Sequence, residues 1–326
     1  MIFVTGATGF VGNHVARALV KRGQSVRLLV RKTSNLSFLK DIHGIETVEG
    51  DLRDRASLER AVKGCEMLFH VAADYRFDVA DPAEVYKSNV EGTANLLDAA
   101  GQAGVKRIVY TSTVGCIGFL KDELADEATP VSIDMMVGTY KRTKFQAEQK
   151  ALEFARQGLP VVIVNPTTPV GELDSKPTPT GDMIVRFLKR KMPAVIDTGL
   201  NLIDVRDCAE GHVLAAEKGR IGERYILGNK NMTLMDIARA LSKISNLPPP
   251  RATLPYAVAF LAGWCDTKFS LLRGKTPSIS LESVKMAKKK MWVKCDKAIQ
   301  ELGLAQTPPE EALARAVEWY RLNKYV

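Results

Sequence analysis

The sequence predicts an α/β protein: a doubly wound parallel sheet with a smaller C-terminal lobe. Three observations carry this expectation. Met1-Ile2-Phe3-Val4-Thr5 is a short β-forming run that meets the glycine-rich turn Gly6-Ala7-Thr8-Gly9-Phe10-Val11-Gly12, and a helical pattern follows at once. Short apolar runs then alternate with helical periodicity as far as about residue 165, the pattern of consecutive βα units. Several of these runs end in small or hydroxyl-bearing residues, and the carboxyl ends of strands are where open α/β sheets bind ligands.

A strand, a glycine turn and a helix N-terminus together present backbone N–H groups to an anion such as a pyrophosphate. Gly6 permits the tight turn, Gly9 lets the backbone approach phosphates, and Gly12 lets helix and strand pack closely. The G-x-x-G-x-x-G spacing is one residue wider than the common dinucleotide fingerprint. The helix runs on through Leu19, and Gly23 closes it. Ser25 to Val30 is the second strand. An acid that accepts from a free ribose hydroxyl is expected about 20 residues past the glycines. Arg31 and Lys32 stand there instead. Cations suit the 2′-phosphate of NADP, so NADP(H) is the preferred cofactor and NAD(H) the alternative.

Ile45 to Glu49 is the third strand, followed by Gly50-Asp51-Leu52 and a helix from Asp54 to Lys63. The fourth strand, from Met67, runs out into Ala72 and Ala73, whose small side chains let a flat ligand lie close. His70 within it reads as a satisfied core histidine. A long helix over about Pro82 to Gln102 carries Asn89. The fifth strand, Arg107 to Thr111, ends in Ser112-Thr113. A polar loop with Asp122, Glu123, Asp126 and Glu127 leads to a helix bearing Tyr140 and Lys144. The sixth strand, Val161 to Val164, ends at Asn165-Pro166.

The pattern then loosens. Pro166 to Thr180 reads as loop, Met183 to Arg190 as a short helix, Leu202 to Val205 as a strand and Ala209 to Glu217 as a helix. Thr233 with Asp236 resembles a capping box. Pro248-Pro249-Pro250 is a hard stop. Ser280 reads as another cap, and Thr307-Pro308-Pro309-Glu310 as the cap of a last helix. Residues 1–165 with about 195–228 are expected to form a dinucleotide-binding domain, and about 166–194 with 229–326 a substrate-binding lobe over the carboxyl ends of the strands.

Composition excludes several classes. Of the 326 residues, 46% are hydrophobic and 25% charged, ordinary for a globular protein. The net charge is +9, but the basic residues are scattered apart from Lys288-Lys289-Lys290, so a nucleic-acid partner is not expected. Five cysteines, far apart and without a C-x-x-C pair, argue against a disulfide framework or metal site and fit a reducing cytoplasm. The first strand leaves no room for a signal peptide, and no apolar run reaches the ~20 residues of a membrane span.

Tyr140 and Lys144 lie four residues apart on one helix and project from the same face. A neighbouring ammonium favours the phenolate, which makes Tyr140 a usable acid or base for a carbonyl–alcohol couple. Lys144 can also hold a cofactor ribose. Thr113 offers a hydroxyl that orients a substrate oxygen, with Ser112 as the alternative. The catalytic candidates are therefore Thr113, Tyr140 and Lys144. The reaction is expected to be net oxidation or reduction of a small-molecule or lipid-linked substrate. An isomerase that uses the same residues to oxidise and then reduce is the alternative, and a non-catalytic NADP sensor a third reading.

These segments resemble the extended short-chain dehydrogenase/reductase (NAD-dependent epimerase/dehydratase) family along essentially the whole chain. The matching residues are Thr5 to Gly12, Gly50-Asp51-Leu52, His70 to Ala73, Asn89 to Thr93, Thr111-Ser112-Thr113 and Tyr140…Lys144. The resemblance implies a pyrophosphate on the loop glycines, Asp51 at the adenine, and Thr113, Tyr140 and Lys144 in catalysis. The cofactor-binding set is then Gly6, Thr8, Gly9, Phe10, Val11, Gly12, Arg31, Lys32, Asp51, Leu52, Ala72, Ala73, Tyr140, Lys144 and Pro166. Relatives often form homodimers through the long helices near Pro82–Gln102 and Tyr140–Arg156. More closely, Phe69 to Arg76, Val164 to Gly171, Lys176 to Gly181 and Asp197 to Leu202 resemble the hopanoid-associated sugar epimerases, with dihydroflavonol 4-reductase more distant. This implies action on the polar side chain of a hopanoid lipid, with epimerisation of a sugar or nucleotide sugar as the alternative reaction.

Leu254 to Lys275 combines Leu254, Tyr256, Val258, Phe260, Leu261, Trp264, Phe269, Leu271 and Leu272 with Lys268, Arg273 and Lys275. An apolar stretch edged by basic residues can lie in a membrane interface; the alternative is a helix packed on the core.

Overall fold

The computed structural model describes residues 1–75, 81–120, 123–272, 284 and 287–326, with the side chains of 267–272 excepted. The cap expected at Ser280, the loop residue Asp122, and Arg76, Arg273 and Lys275 lie outside the described residues, as do the side chains of Lys268, Phe269, Leu271 and Leu272.

Six βα-type strands form where the apolar runs stand: β1 (Ile2–Thr5), β2 (Val26–Val30), β3 (Ile45–Glu49), β4 (Met67–His70), β5 (Arg107–Thr111) and β6 (Val161–Pro166). A seventh, Arg224–Leu227, joins the sheet beside β6. The order from one edge is β3, β2, β1, β4, β5, β6 and Arg224–Leu227, and every pair is parallel. The architecture is a Rossmann-like α/β fold. The order reverses between β1 and β4, so the crevice for a ligand opens beyond their carboxyl ends.

Strands of a parallel sheet that are buried on both faces read as nearly unbroken apolar runs; the edge strand β3, with Glu46, Thr47 and Glu49 exposed, is the exception. Successive side chains alternate across it. Val4 joins Val15, Leu19, Val109 and Val213 on one side. Phe3 joins Leu58, Leu68, Leu97, Ile108 and Ile163 on the other. Each large side chain so buried contributes roughly 1.5–3 kcal/mol. The helix Phe10–Lys21 (α1) and the later helix Val205–Lys218 cover the first face. Arg55–Val62, Gly92–Gln102 and Gly138–Arg156 cover the second.

The long helix expected over Pro82 to Gln102 is helical but not uniform. An α-turn, Pro82–Tyr86, leads into a π-helical segment, Lys87–Glu91, and then Gly92–Gln102. The π-helical segment holds Asn89, whose side chain bonds three groups outside its own turn; such bulges cluster at functional sites.

A further core cluster beyond the large sheet brings Val170, Ile184, Phe187, Leu202, Ile237, Leu241, Leu313 and Tyr320 into contact. The proline- and threonine-rich segment read as loop contains a short strand, Thr168–Val170, paired with Gly199–Asp204. Gly199–Asp204 also pairs antiparallel with Lys230–Thr233. A two-stranded ladder joins Ala194–Ile196 to Ala252–Leu254. The capping box forms as expected: Asp236 N donates to Thr233 Oγ1 at 3.0 Å and Thr233 N to Asp236 Oδ2 at 3.2 Å. The last helix, Pro309–Leu322, differs from expectation. Pro308 is its N-cap, because Thr307 is drawn away to Asp207 by bonds of 2.8 and 3.1 Å.

Candidate active site

At the turn after β1, Gly6 takes φ +79°, and a Cβ there would lie 2.6 Å from Ala72 N. Only glycine tolerates both conditions. A Cβ on Gly12 would lie 2.2 Å from Gly6 O, so the helix start packs directly on the turn. Gly9 is the N-cap of α1, and no side chain caps it. The first N–H groups of the helix therefore lack the usual Ser, Thr or Asp partner, the condition under which a helix end receives an anion. The Gly9 Cβ position meets only Gly6 O, at 3.2 Å, so the rest of that space stands open. The turn fits a bound pyrophosphate.

The next two strand ends shape an open cleft of about 540 Å³, lined by Arg31, Lys32, Thr33, Glu49, Asp51, Arg53 and Arg60 among others. Arg31 and Lys32 are exposed there. Asp51 is gripped by Arg53, whose Nε and second guanidinium nitrogen each donate at 2.9 Å. That bond holds the Asp51 carboxyl below its usual range, and the nearby Arg31 charge adds to it. Leu52 packs its Cβ where Gly92 passes. Ala72 and Ala73 are half-buried just past β4, and Pro166 closes β6. Arg53 and Arg60 were not anticipated. Arg53 sits two residues past Asp51, a local signal; Arg60 reaches the cleft only because its helix packs beside it.

His70 is fully buried and bonded on both nitrogens, to Thr5 Oγ1 at 2.9 Å and Thr93 Oγ1 at 3.0 Å. Burial, helped by the Lys144 charge, drives its pKa down to about 3. It is a satisfied core histidine, as expected. Thr93 donates to Asn89 O, Asn89 Nδ2 donates to Thr143 Oγ1 at 3.1 Å, and Thr143 donates to Tyr140 O at 3.0 Å. A buried polar chain thus connects β1 to the helix bearing Tyr140.

Thr113, Tyr140 and Lys144 come together at the open end of β5. The Thr113 hydroxyl, which accepts from Gly115 N at 3.1 Å, lies near enough to act on the Tyr140 phenol. Burial raises the Tyr140 phenol above its ordinary value, and the neighbouring Thr113 hydroxyl opposes the rise. Lys144 is 3% exposed, and its Nζ donates to Tyr110 OH at 3.1 Å and Thr111 O at 2.7 Å. Burial lowers its pKa to about 8, while Cys116 and Glu148 favour the charged form. Ser112 is 5% exposed and turns into the protein. Cys116 is fully buried, and its thiol is pushed up to about 12. A protonated phenol, a bonded hydroxyl and a buried ammonium beside a dinucleotide cradle are suited to proton transfer at a carbonyl oxygen.

This fold and site define an enzyme of the extended short-chain dehydrogenase/reductase type, a class that uses a nicotinamide cofactor. Residues 2–228 match the model of the NAD dependent epimerase/dehydratase family, and the chain belongs to that family. It is 46% identical over 329 residues to a Synechocystis sp. protein provisionally named dihydroflavonol 4-reductase, covering 99% of this chain and 95% of that one. It is 34% identical to sterol demethylase protein B of Methylococcus capsulatus, covering 98% and 97%. A crystal structure of a nucleoside-diphosphate-sugar epimerase from Pseudomonas aeruginosa superposes with a TM-score of 0.83 at 29% identity, covering 99% of this chain and 98% of that one.

Proposed function

We propose that the protein is an NADP(H)-dependent oxidoreductase acting on a carbonyl/alcohol couple of a sugar-like or polyol group, with the polar side chain of a hopanoid as the candidate substrate. The observation that carries the reading is buried Lys144, bonded to Tyr110 OH and Thr111 O one turn from Tyr140, with Thr113 at the end of the same strand. The bound nicotinamide supplies or accepts the hydride. Thr113 orients the substrate oxygen. Tyr140 gives its proton to that oxygen in reduction and takes it back in oxidation. The Lys144 charge stabilises the phenolate left behind. An ammonium has three donors; two are spent on Tyr110 and Thr111, and the third is assigned to a ribose hydroxyl. Gly6, Thr8, Gly9, Phe10, Val11 and Gly12 hold the pyrophosphate, Asp51 and Leu52 border the adenine, and Ala72, Ala73 and Pro166 flank the flat rings. Arg31 and Lys32 take the 2′-phosphate.

The reductase name of the Synechocystis relative supports net redox chemistry, and the sterol named for the Methylococcus relative supports a polycyclic lipid. The epimerase name of the Pseudomonas structure favours a second reading, in which the same residues serve oxidation and then reduction on one bound cofactor. Mass balance separates the two. The enzyme is incubated with NADPH and candidate keto-sugars, keto-polyols and oxidised hopanoid head groups. Stoichiometric NADPH consumption is expected; inverted product without net consumption overturns the first reading in favour of the second.

A further inference from the structure

The helix Tyr256–Leu272 is built inside out. From 252 to 265 the chain has no charged residue. In its described turns the small residues Ala259 and Gly263, four apart, are the buried ones. Val258, Leu261 and Trp264 are 51%, 62% and 46% exposed. A helix packed on a core does the reverse, and the last helix of this chain does so, burying Leu313, Val317 and Tyr320. Monomeric surfaces seldom carry such a contiguous apolar stripe without a partner.

A basic run adjoins this stripe. Asp197 N donates to Leu254 O at 3.0 Å, just before the helix begins. Lys290 Nζ lies 3.9 Å from Asp197, and Thr198 Oγ1 donates to Lys289 O at 3.4 Å. Lys288, Lys289 and Lys290 are all exposed. Lys289 Nζ also stands 4.3 Å from the centre of the Phe119 ring. Phe119 and Leu120, both exposed, lie in the segment that leaves Thr113. The lysine run therefore reaches from the strand beside this helix to the segment that leaves Thr113.

We propose that Val258, Leu261 and Trp264, together with Lys288, Lys289 and Lys290, dock the protein on an anionic lipid bilayer. An apolar face beside cations is what an interfacial helix presents to acyl chains and acidic headgroups. A second copy of this chain is the poorer occupant: it brings a second lysine run to the first, on a protein of net charge +9. The contact is peripheral, since among the described residues no helix is long and apolar enough to cross a membrane.

The test is co-sedimentation of the full chain with vesicles of phosphatidylserine and phosphatidylcholine, and with phosphatidylcholine alone. It needs neither cofactor nor turnover, so it succeeds or fails independently of the proposed reaction. Wild type is expected to sediment with the mixed vesicles at low salt. Replacing all three lysines by Gln (K288Q/K289Q/K290Q) should weaken partitioning by up to about 100-fold, and high salt should have the same sense. Leu261→Glu and Val258→Ser should weaken binding to mixed vesicles while leaving the unfolding temperature unchanged, because both sites are exposed. Wild type remaining in the supernatant overturns the proposal. So does a lipid-free dimer that Leu261→Glu converts to monomer in analytical ultracentrifugation, which would assign the stripe to a second copy.

Discussion

Asn165 donates from one amide nitrogen to both Thr113 O, at 3.0 Å, and Glu148 Oε2, at 2.7 Å. Glu148 is fully buried, sits one turn past Lys144 on the same helix face, and meets Arg224 at 3.3 Å. The end of β6 thereby ties the residue carrying the active-site hydroxyl to the helix carrying Tyr140. Asn165→Ala is expected to lower kcat by about 10- to 100-fold, the scale of a displacement near 1 Å at a reacting centre. Cofactor Kd should stay within about twofold, because the glycine turn is not part of this network. Loss of cofactor affinity in step with kcat would reduce the role to general packing. Stopped-flow turnover and a cofactor fluorescence titration make the comparison.

Tyr140→Phe removes the phenolic proton and keeps the ring. Turnover is expected to fall by about 10²–10⁴-fold, as for a lost general acid, with cofactor binding intact. A variant that keeps more than about a tenth of wild-type kcat contradicts the assignment of Tyr140.

The Lys144 charge is present below about pH 8 and is lost above it, since burial lowers its pKa to about 8. Tyr110, Cys116, Tyr140 and Glu148 surround it, with His70 beyond. The rate of carbonyl reduction should therefore fall as pH rises through about 8, because the phenolate loses its neighbouring cation. Removing the Glu148 charge, in Glu148→Gln, should move that limb to lower pH. Lys144→Ala should weaken both turnover and cofactor affinity. A pH–rate profile that Glu148→Gln leaves in place would separate Lys144 from the limb.

What was legible in the chain was local. Gly6 and Gly12 stand where the turn meets the helix, five of the six strands are largely buried apolar runs, and Tyr140 and Lys144 share one helix face. These signals lie within a few residues of each other. The contacts of Asn165 are not of this kind: its partners Glu148 and Thr113 lie 17 and 52 residues away. The strands Thr168–Val170, Ala194–Ile196 and Ala252–Leu254 have three residues each, too few to leave a period. The π-helical segment at Asn89 answers to tertiary hydrogen bonds that no helical pattern encodes. Thr307 looked like a cap and was claimed by Asp207, a hundred residues earlier. In each case a distant partner outweighed the local preference.

Three buried histidines make stability depend on pH; desolvation lowers the pKa of His14, and more strongly those of the other two. His70 and His212 are fully buried, with pKa values driven down to about 3 and about 4 by desolvation. In the unfolded chain both titrate near 6.5. Between those values the unfolded state binds more protons than the folded one, so stability is complete above about pH 6.5 and is lost as pH falls. At pH 5 each of these two costs about 2 kcal/mol by this linkage. Urea midpoints measured from pH 7.5 to pH 5 should fall accordingly. A flat profile over that range would mean that neither His70 nor His212 is held neutral by the fold.

The proposed NADP preference is expected to rest on Arg31. It lies at the end of β2, in the cleft that also holds Asp51, and its charge is felt by the Asp51 carboxyl. NADP and NAD differ there by one phosphate carrying close to two negative charges. A guanidinium grips such a group with two parallel hydrogen bonds, which a lysine cannot copy. Arg31 is exposed, so solvent and salt reduce the gain, and a wild-type preference for NADP of about tenfold is expected, near 1.4 kcal/mol. Arg53 is the weaker candidate, because two of its three guanidinium nitrogens already bond Asp51. Arg31→Asp places an acid that accepts from the free 2′-hydroxyl of NAD and repels the phosphate of NADP, so the preference should reverse. The measurement is kcat/KM for both cofactors, in wild type and variant, at low and moderate salt. A wild-type enzyme that uses both equally, or prefers NAD, would remove the 2′-phosphate role of Arg31 and shift weight to epimerisation on a retained NAD.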